Sequence, residues 1–190
     1  MDFKQKAILE LDRLKTVMRN SYISDGTRRE NSAEHSWHLA VTLLSLSELM
    51  PNDLDLDHAI RIALIHDICE IGAGDVSVYD INRSAKSESE AEYMDLFKSQ
   101  YGNFGSEAEA LWREYEEQQS IEGRWVKLAD RMLPFILNLA TKGRVWQERG
   151  ISRSQVLKVN LPINSVYPEI YEWMKMEIDS AVEKGWLKDA

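Results

Sequence analysis

Apolar residues recur at three- and four-residue steps along most of the chain, which is the spacing of amphipathic α-helices. The first apolar stripe comprises Ala7, Leu11, Leu14 and Met18. A later segment, 121–142, is longer and equally periodic, and no alternating pattern of convincing strand length stands between them. The pattern therefore predicts an all-α fold.

Short polar motifs predict where several helices begin. Asn31 with Glu34, and Ser152 with Gln155, have the spacing of a capping box, in which two side chains satisfy free N–H groups of the first helical turn. Asp57 is the predicted N-cap of the third helix. These motifs fix the starts of three helices more firmly than apolar periodicity does.

Irregular sequence separates the periodic segments. The polar, glycine-containing segment 21–30 predicts a loop, and 75–86 is expected to be irregular. Ser87 and Ser106 are each followed three residues later by a glutamate, which predicts two further helices. Pro168 suits the first position of the last helix.

The length of 190 residues fits one domain with a sizeable core. We expect residues 1–190 to form a single domain. Its motif-bearing part covers about 8–140, and the C-terminal helices over 152–187 pack on it, because the turn at 160–168 is short.

The net charge of −9, from 23 basic and 32 acidic residues, disfavours binding to nucleic acid, although a small phosphate ester needs only a local cation. Cys69 is the single cysteine, so no intrachain disulfide can form. The N-terminal sequence MDFKQKAILELDRLK lacks the apolar core of a signal peptide, and no apolar run approaches the length of a membrane span. The prediction is a cytoplasmic protein without a membrane segment.

Two segments place ionisable residues where apolar ones are expected. The run IALIHDICEIG contains His66, Asp67 and Glu70, and KLADRMLPF contains Asp130. A buried carboxylate costs several kcal/mol unless it is paired or bound to a metal. Glu70, four residues after His66 on a helix, would overhang the same spot. These residues could form a metal site with a neighbouring acid–base group. The alternative interpretation is that they are core histidines and ion-paired aspartates.

The order of an early histidine, then His-Asp, then a late aspartate resembles the HD superfamily of phosphohydrolases. The segments LDRLK, RRENSAEHSWHLAV, ALIHDICEIGAGDV and LWREYEEQQSIEGRWVKLADR resemble the small HD hydrolases that include bacterial 5′-deoxynucleotidases. The similarity covers roughly residues 8–140. EHS, HDxxE and GD in this order are far more specific than the HD dipeptide alone.

This resemblance implies a helical HD-domain bundle with one divalent metal ion, whose identity among Mn, Co, Fe, Ni, Zn and Mg stays open. It assigns as metal ligands His35, His66, Asp67 and Asp130. It further assigns Glu70 and Asp75 as catalytic acids and Arg19 as the residue that holds the substrate phosphate.

Relatives usually carry a tryptophan at or soon after that arginine, near the sugar, whereas this chain has Asn20, Ser21 and Tyr22. Tyr22 is the candidate replacement, and selectivity for deoxyribose over ribose stays open. Among the six tryptophans, Trp37 is expected to form a wall of the pocket.

The expected activity is release of phosphate from nucleoside 5′-monophosphates by a metal-activated water. Alternatives are hydrolysis of nucleoside triphosphates, of the stringent-response nucleotide or of another phosphate ester, and a non-catalytic scaffold or signalling module. A two-metal site is disfavoured because no histidine follows His66. The resemblance also implies a homodimer, and the aromatic residues of the C-terminal third fit either a dimer interface or the core: Trp146, Tyr167, Tyr171, Trp173 and Trp186.

Overall fold

The structure is a computed structural model that describes residues 2–80 and 83–190. Its α-helices are, in chain order, α1 (Asp2–Asp12), α2 (Ser32–Ser45), α3 (Leu56–Ile65), α4 (Glu70–Ala73), α5 (Arg83–Glu117), α6 (Ile121–Ala140), α7 (Arg144–Arg149), α8 (Arg153–Asn160) and α9 (Pro168–Glu183). A hairpin of β1 (Met18–Tyr22) and β2 (Arg29–Asn31) precedes α2. The predicted all-α class is confirmed.

The helix starts follow the polar motifs with one correction. Both capping boxes form, one around Asn31 at α2 and one around Ser152 at α8, and Pro168 occupies the first position of α9. The prediction for α3 is wrong, because Asp55, not Asp57, accepts the N–H of His58. Asp57 lies inside the first turn, where a carboxylate still interacts favourably with the helix dipole.

Two segments differ from their predicted structure. The polar segment 21–30 is partly a hairpin, which the sequence missed because strands of five and three residues are too short to show alternation. Helix α5 begins at Arg83, before Ser87, and residues 81 and 82 lie outside the described residues. It breaks at Gly102 rather than at Ser106, since Gly102 adopts a φ of 58°, which glycine tolerates best.

Helix α6 separates two parts of the core. Val126, Ala129 and Leu133 pack against α2 and α3. The opposite stripe of α6 packs against α7, α8 and α9 through Leu128, Met132 and Phe135. A third cluster joins the N-terminal segment to α4 and α5. The C-terminal helices thus bury apolar area on the same helix that carries Asp130.

The C-terminal aromatic residues mostly close the core. Trp146 on α7 and Tyr171 on α9 are buried in the cluster that packs against α6, and Trp125 contacts Tyr167 edge to face. Trp173 is partly exposed and packs on Phe135. Within the described residues, no helix is long and apolar enough to cross a membrane.

Candidate metal centre and adjoining cavities

His35 reaches the interior because the capping box fixes the first turn of α2. Asn31 accepts the backbone N–H of Glu34, and the Glu34 carboxylate accepts the N–H of Asn31. His35 follows directly and is completely buried, with its Nε2 3.0 Å from Asp130 Oδ1. Residues 31–35 therefore bring a histidine from α2 against an aspartate from the middle of α6.

The His-Asp pair lies in tight turns rather than in regular α-helix, which corrects the geometry expected from sequence. Ile68 donates to the Ile65 carbonyl and Glu70 to the Asp67 carbonyl, both at 3.0 Å. These are bonds to the third preceding residue, and residues three apart then eclipse each other. Asp67 and Glu70 consequently face the same side.

Three of the four predicted ligands form one cluster. One ligand atom each of His35, His66 and Asp130 lies within 4.8 Å of the others. The fourth, Asp67, adjoins this cluster, since its Oδ1 is 3.1 Å from His66 Nε2 while its Oδ2 accepts from Arg19 Nη1 at 2.7 Å. Residues from α2, α6 and the segment after α3 thus meet at one point.

The protonation of His66 tests whether this cluster fits a metal. Its Nδ1 lies 2.8 Å from the Ala63 carbonyl, which can only accept, so Nδ1 carries the proton. Burial lowers the pKa of His66, so the ring is neutral and Nε2 presents a lone pair. That lone pair faces carboxylate oxygens of Asp67 at 3.1 Å and Asp130 at 3.9 Å. A nitrogen lone pair and carboxylate oxygens repel one another when they face each other in this way. Together they form a set of ligand atoms that fits a divalent cation.

The other two members of the cluster are in the charge states that a metal requires, since His35 is neutral and Asp130 is ionised. Burial, followed by the Arg19 charge, lowers the pKa of His35 to about 3. Burial alone would raise the pKa of Asp130, but the hydrogen bond from His35 holds it well below its usual value. Tyr115 donates to Asp130 Oδ2 at 2.6 Å, which orients the carboxylate.

Arg19, on β1, lies among carboxylates. Besides its bond to Asp67, its guanidinium is 3.8 Å from Glu70, 3.9 Å from Asp75 and 3.5 Å from Glu30. Burial acts to lower the pKa of Arg19, but the carboxylates of Asp67, Glu70, Asp75 and Asp130 outweigh it and raise the pKa. The predicted phosphate-binding residue is therefore in place, yet its charge is already shared among several acids.

Both predicted catalytic acids lie beside the cluster. Ser32 donates to Glu70 Oε2 at 2.6 Å. Gly74 ends α4 with φ 75° and ψ 164°, a conformation that is almost restricted to glycine, and Asp75 follows it. The backbone N–H and the side-chain amide of Asn20 donate to Asp75 Oδ2 at 3.2 and 3.0 Å. The glycine in the GD motif thus allows the turn that precedes this acid.

Two cavities meet at the cluster and have several lining residues in common, among them Arg19, Asp75 and Asp130. The larger, of about 400 Å³, has a polar lining that includes His66, Asp67, Glu70 and Lys127. The smaller, of about 100 Å³, has apolar walls that include Val78, Pro134, Phe135 and Val145. Even the smaller volume is several times what a single water molecule requires.

Two aromatic predictions are corrected. Trp37 is 64% exposed and lines neither cavity, because two helical positions rotate a side chain by about 200° relative to His35. Tyr22 does not replace the missing tryptophan, since its ring lies between the guanidinium groups of Arg29 and Arg144, at 5.0 and 3.8 Å. Its hydroxyl donates to Glu148 at 3.0 Å, which ties the hairpin to α7.

Several residues at the site were missed by the sequence analysis. Tyr115 and Ser32 orient the carboxylates of Asp130 and Glu70, and Lys127 lines the larger cavity. Glu30, which was taken as part of a loop, is buried beside His35 and Arg19. The sequence offered one clue to Glu30, which is that this glutamate lies only five residues before His35 of the EHS motif.

Comparison with known proteins bears on this arrangement. The family described as HD domain matches residues 11–171. Human 5′-deoxynucleotidase HDDC2 is 31% identical over 121 residues, which cover 62% of this chain and 58% of that protein. Yeast 5′-deoxynucleotidase YGK1 (Saccharomyces cerevisiae) is 28% identical over 125 residues, covering 62% and 57%. The matched region is thus less than two thirds of the length of these relatives.

Solved structures match over more of the chain. The crystal structure of a predicted metal-dependent phosphohydrolase from Magnetospirillum magnetotacticum MS-1 superimposes with a TM-score of 0.91 at 33% identity, covering 98% of this chain and 95% of that one. The PH0347 protein from Pyrococcus horikoshii OT3 matches with a TM-score of 0.65 at 20% identity, covering 90% and 98%, and shares the fold.

Proposed function

The chain belongs to the HD-domain family, and we propose that it is a metal-dependent phosphohydrolase that releases phosphate from nucleoside 5′-monophosphates. One observation carries the proposal. The lone pair of His66 Nε2 converges with carboxylate oxygens of Asp67 and Asp130, and the acid Glu70 lies beside them at the wall of a cavity. The nucleotidase names of the matched relatives support the substrate class.

His35, His66, Asp67 and Asp130 would hold one divalent metal ion. When bound, such an ion supplies Lewis acidity and lowers the pKa of a water toward neutrality. Glu70 is placed to take a proton from the attacking water or to give one to the leaving 5′-oxygen, and Asp75 assists across Arg19. Ser32, which donates to Glu70 Oε2 at 2.6 Å, keeps that carboxylate oriented for this role.

The two cavities suggest how a nucleotide lies. Arg19 lines both of them and stands at their junction, so the phosphate belongs there. Lys127 lines the larger, polar cavity and offers a second cation to the phosphoryl oxygens. The base or sugar would lie against Pro134 and Phe135 in the wall of the smaller cavity, because apolar walls suit these groups.

The test is phosphate release from a panel of ribo- and deoxyribonucleoside 5′-monophosphates. The protein is stripped of metal, and Mn²⁺, Co²⁺ or Mg²⁺ is then added back. We expect turnover that returns with metal and is abolished in Asp67→Ala, while Trp37→Ala keeps it because that side chain lies outside both cavities.

Other results of the same panel separate the alternatives. Metal binding without release from any monophosphate would refute this substrate class and favour triphosphates or other phosphate esters. Absence of metal binding would favour a non-catalytic module. The homodimer and the cytoplasmic location stay predictions, which light scattering and cell fractionation would test.

A further inference from the structure

Glu30 is a buried carboxylate that the proposed reaction does not yet use. It is the central residue of β2, and its side chain is 3% exposed while those of its neighbours Arg29 and Asn31 are half-buried. This alternation is what a strand imposes, because successive side chains point to opposite faces. Burying a carboxylate is costly, so its surroundings should show what offsets that cost.

One oxygen of Glu30 and two nitrogens of its neighbours lie close together without forming hydrogen bonds. Its Oε1 lies 3.5 Å from Arg19 Nε and 3.8 Å from His35 Nδ1. All three atoms are buried, and none of them has a hydrogen-bond partner among the described residues. An unsatisfied buried donor or acceptor costs about 1–3 kcal/mol, so three at one point demand an explanation.

The proton on His35 supplies that explanation. A neutral imidazole carries one proton. Where Nε2 donates to Asp130 Oδ1, 3.0 Å away, Nδ1 has a lone pair and offers nothing to the Glu30 carboxylate. A cation held by Nε2 would need the lone pair on Nε2 itself, so the single ring proton would lie on Nδ1 instead. Glu30 Oε1, which lies 3.8 Å from Nδ1, would become its acceptor on closing to hydrogen-bond distance.

We infer that Glu30 is a positioning residue: its Oε1 accepts from Nδ1 of the metal ligand His35 and from Nε of Arg19, and so joins the metal centre to the phosphate-binding arginine. Ligating histidines commonly donate their second ring N–H to a carboxylate, which fixes the tautomer and the orientation of the ring. The contact to Arg19 gives the same oxygen a second donor. The inference rests on the metal site of the proposed function.

The experiment measures metal affinity rather than turnover. Co²⁺ or Mn²⁺ is titrated into the full-length chain in competition with a chelator, for wild type and variants. Glu30→Ala should weaken binding about 10- to 100-fold, the usual effect of losing such a partner. Glu30→Gln should lose less than Glu30→Ala, because its amide oxygen still accepts. If Glu30→Ala does not fold, Glu30→Asp replaces it, since its shorter side chain withdraws the acceptor.

The matched control is Glu109→Ala. Glu109 is also a buried glutamate, but it pairs with Lys98 and Arg113 on α5, so its loss should lower the melting temperature and leave metal affinity unchanged. In the Zn²⁺-loaded protein, ¹⁵N–¹H spectra should show His35 protonated at Nδ1, with faster exchange of that proton in Glu30→Ala.

The outcomes separate the two proposals. Wild-type affinity in Glu30→Ala, or a His35 proton on Nε2 in the loaded protein, would overturn the role of Glu30. Metal binding that depends on Glu30 but is accompanied by no phosphatase activity would leave that role standing and refute the nucleotidase. A wild-type protein that binds no metal would overturn both.

Discussion

Metal binding should stabilise the fold by an amount that depends on Asp130. The Asp130 carboxylate lies 3.0 Å from His35 and 3.9 Å from His66, the other two members of the cluster. It also accepts a hydrogen bond of 2.6 Å from the Tyr115 hydroxyl. Asparagine has nearly the same shape but offers a neutral oxygen. Asp130→Asn therefore removes ligand charge with little change in packing.

The magnitude follows from linkage. A ligand present at about 100 times its Kd and bound only by the folded state adds about 2.7 kcal/mol. For a chain of this size, each kcal/mol raises the melting temperature by about 2–4 °C. The wild type should therefore melt about 5–11 °C higher at that metal concentration than in EDTA, and Asp130→Asn should show a small fraction of this shift.

Scanning fluorimetry or circular dichroism with and without Mn²⁺ measures the shift. Asp179→Asn is the matched control, because Asp179 on α9 forms an exposed ion pair with Arg153, lines neither cavity and should leave the shift intact. An equal shift in wild type and Asp130→Asn would refute the assignment of Asp130 as a ligand.

Three further predictions concern neighbouring residues. Glu70→Gln should lower kcat at least 100-fold while metal affinity stays near wild type, as steady-state kinetics and metal titration would show. Gly74→Ala should cost about 1–3 kcal/mol in denaturant unfolding and lower activity, because it strains the turn before Asp75. The hydrogen bond from Arg28 is the main cause that lowers the pKa of Glu34, so the Glu34 carboxylate stabilises the fold above its unfolded pKa of 4.5. The melting-temperature difference between wild type and Glu34→Ala should therefore shrink as the pH falls below that value.

Three of the proposed ligands could be singled out from the sequence because they place ionisable side chains where apolar residues are expected. His66 and Asp67 interrupt an apolar run, and Asp130 interrupts another, so burial and charge conflict at these positions. The capping box before His35 was equally visible, since it depends on side chains only three residues apart. What is encoded within one turn of helix can be found without knowing the fold.

The surroundings of Arg19 and Glu30 could not be found in this way. Arg19 meets Asp67 across 48 positions of sequence, and no local pattern encodes that contact. Glu30 was assigned to a loop because β2 has only three residues. The prediction for Trp37 was wrong because its side chain points about 200° away from His35 on α2, although only two positions separate them in sequence.

The charge at the site implies that the binding of metal and the binding of phosphate are energetically coupled. The carboxylates around Arg19 are those of Glu30, Asp67, Glu70, Asp75 and Asp130. At an effective dielectric constant of 20, two like unit charges 4 Å apart repel by about 4 kcal/mol. The single positive charge of Arg19 does not offset the repulsion between these carboxylates and an entering phosphate. A divalent cation bound among the carboxylates does offset it. Inorganic phosphate should therefore bind the metal-loaded protein at least tenfold more tightly than the EDTA-treated protein by calorimetry. Equal affinities would show that Arg19 and Lys127 suffice, and that the metal and the phosphate are not energetically coupled.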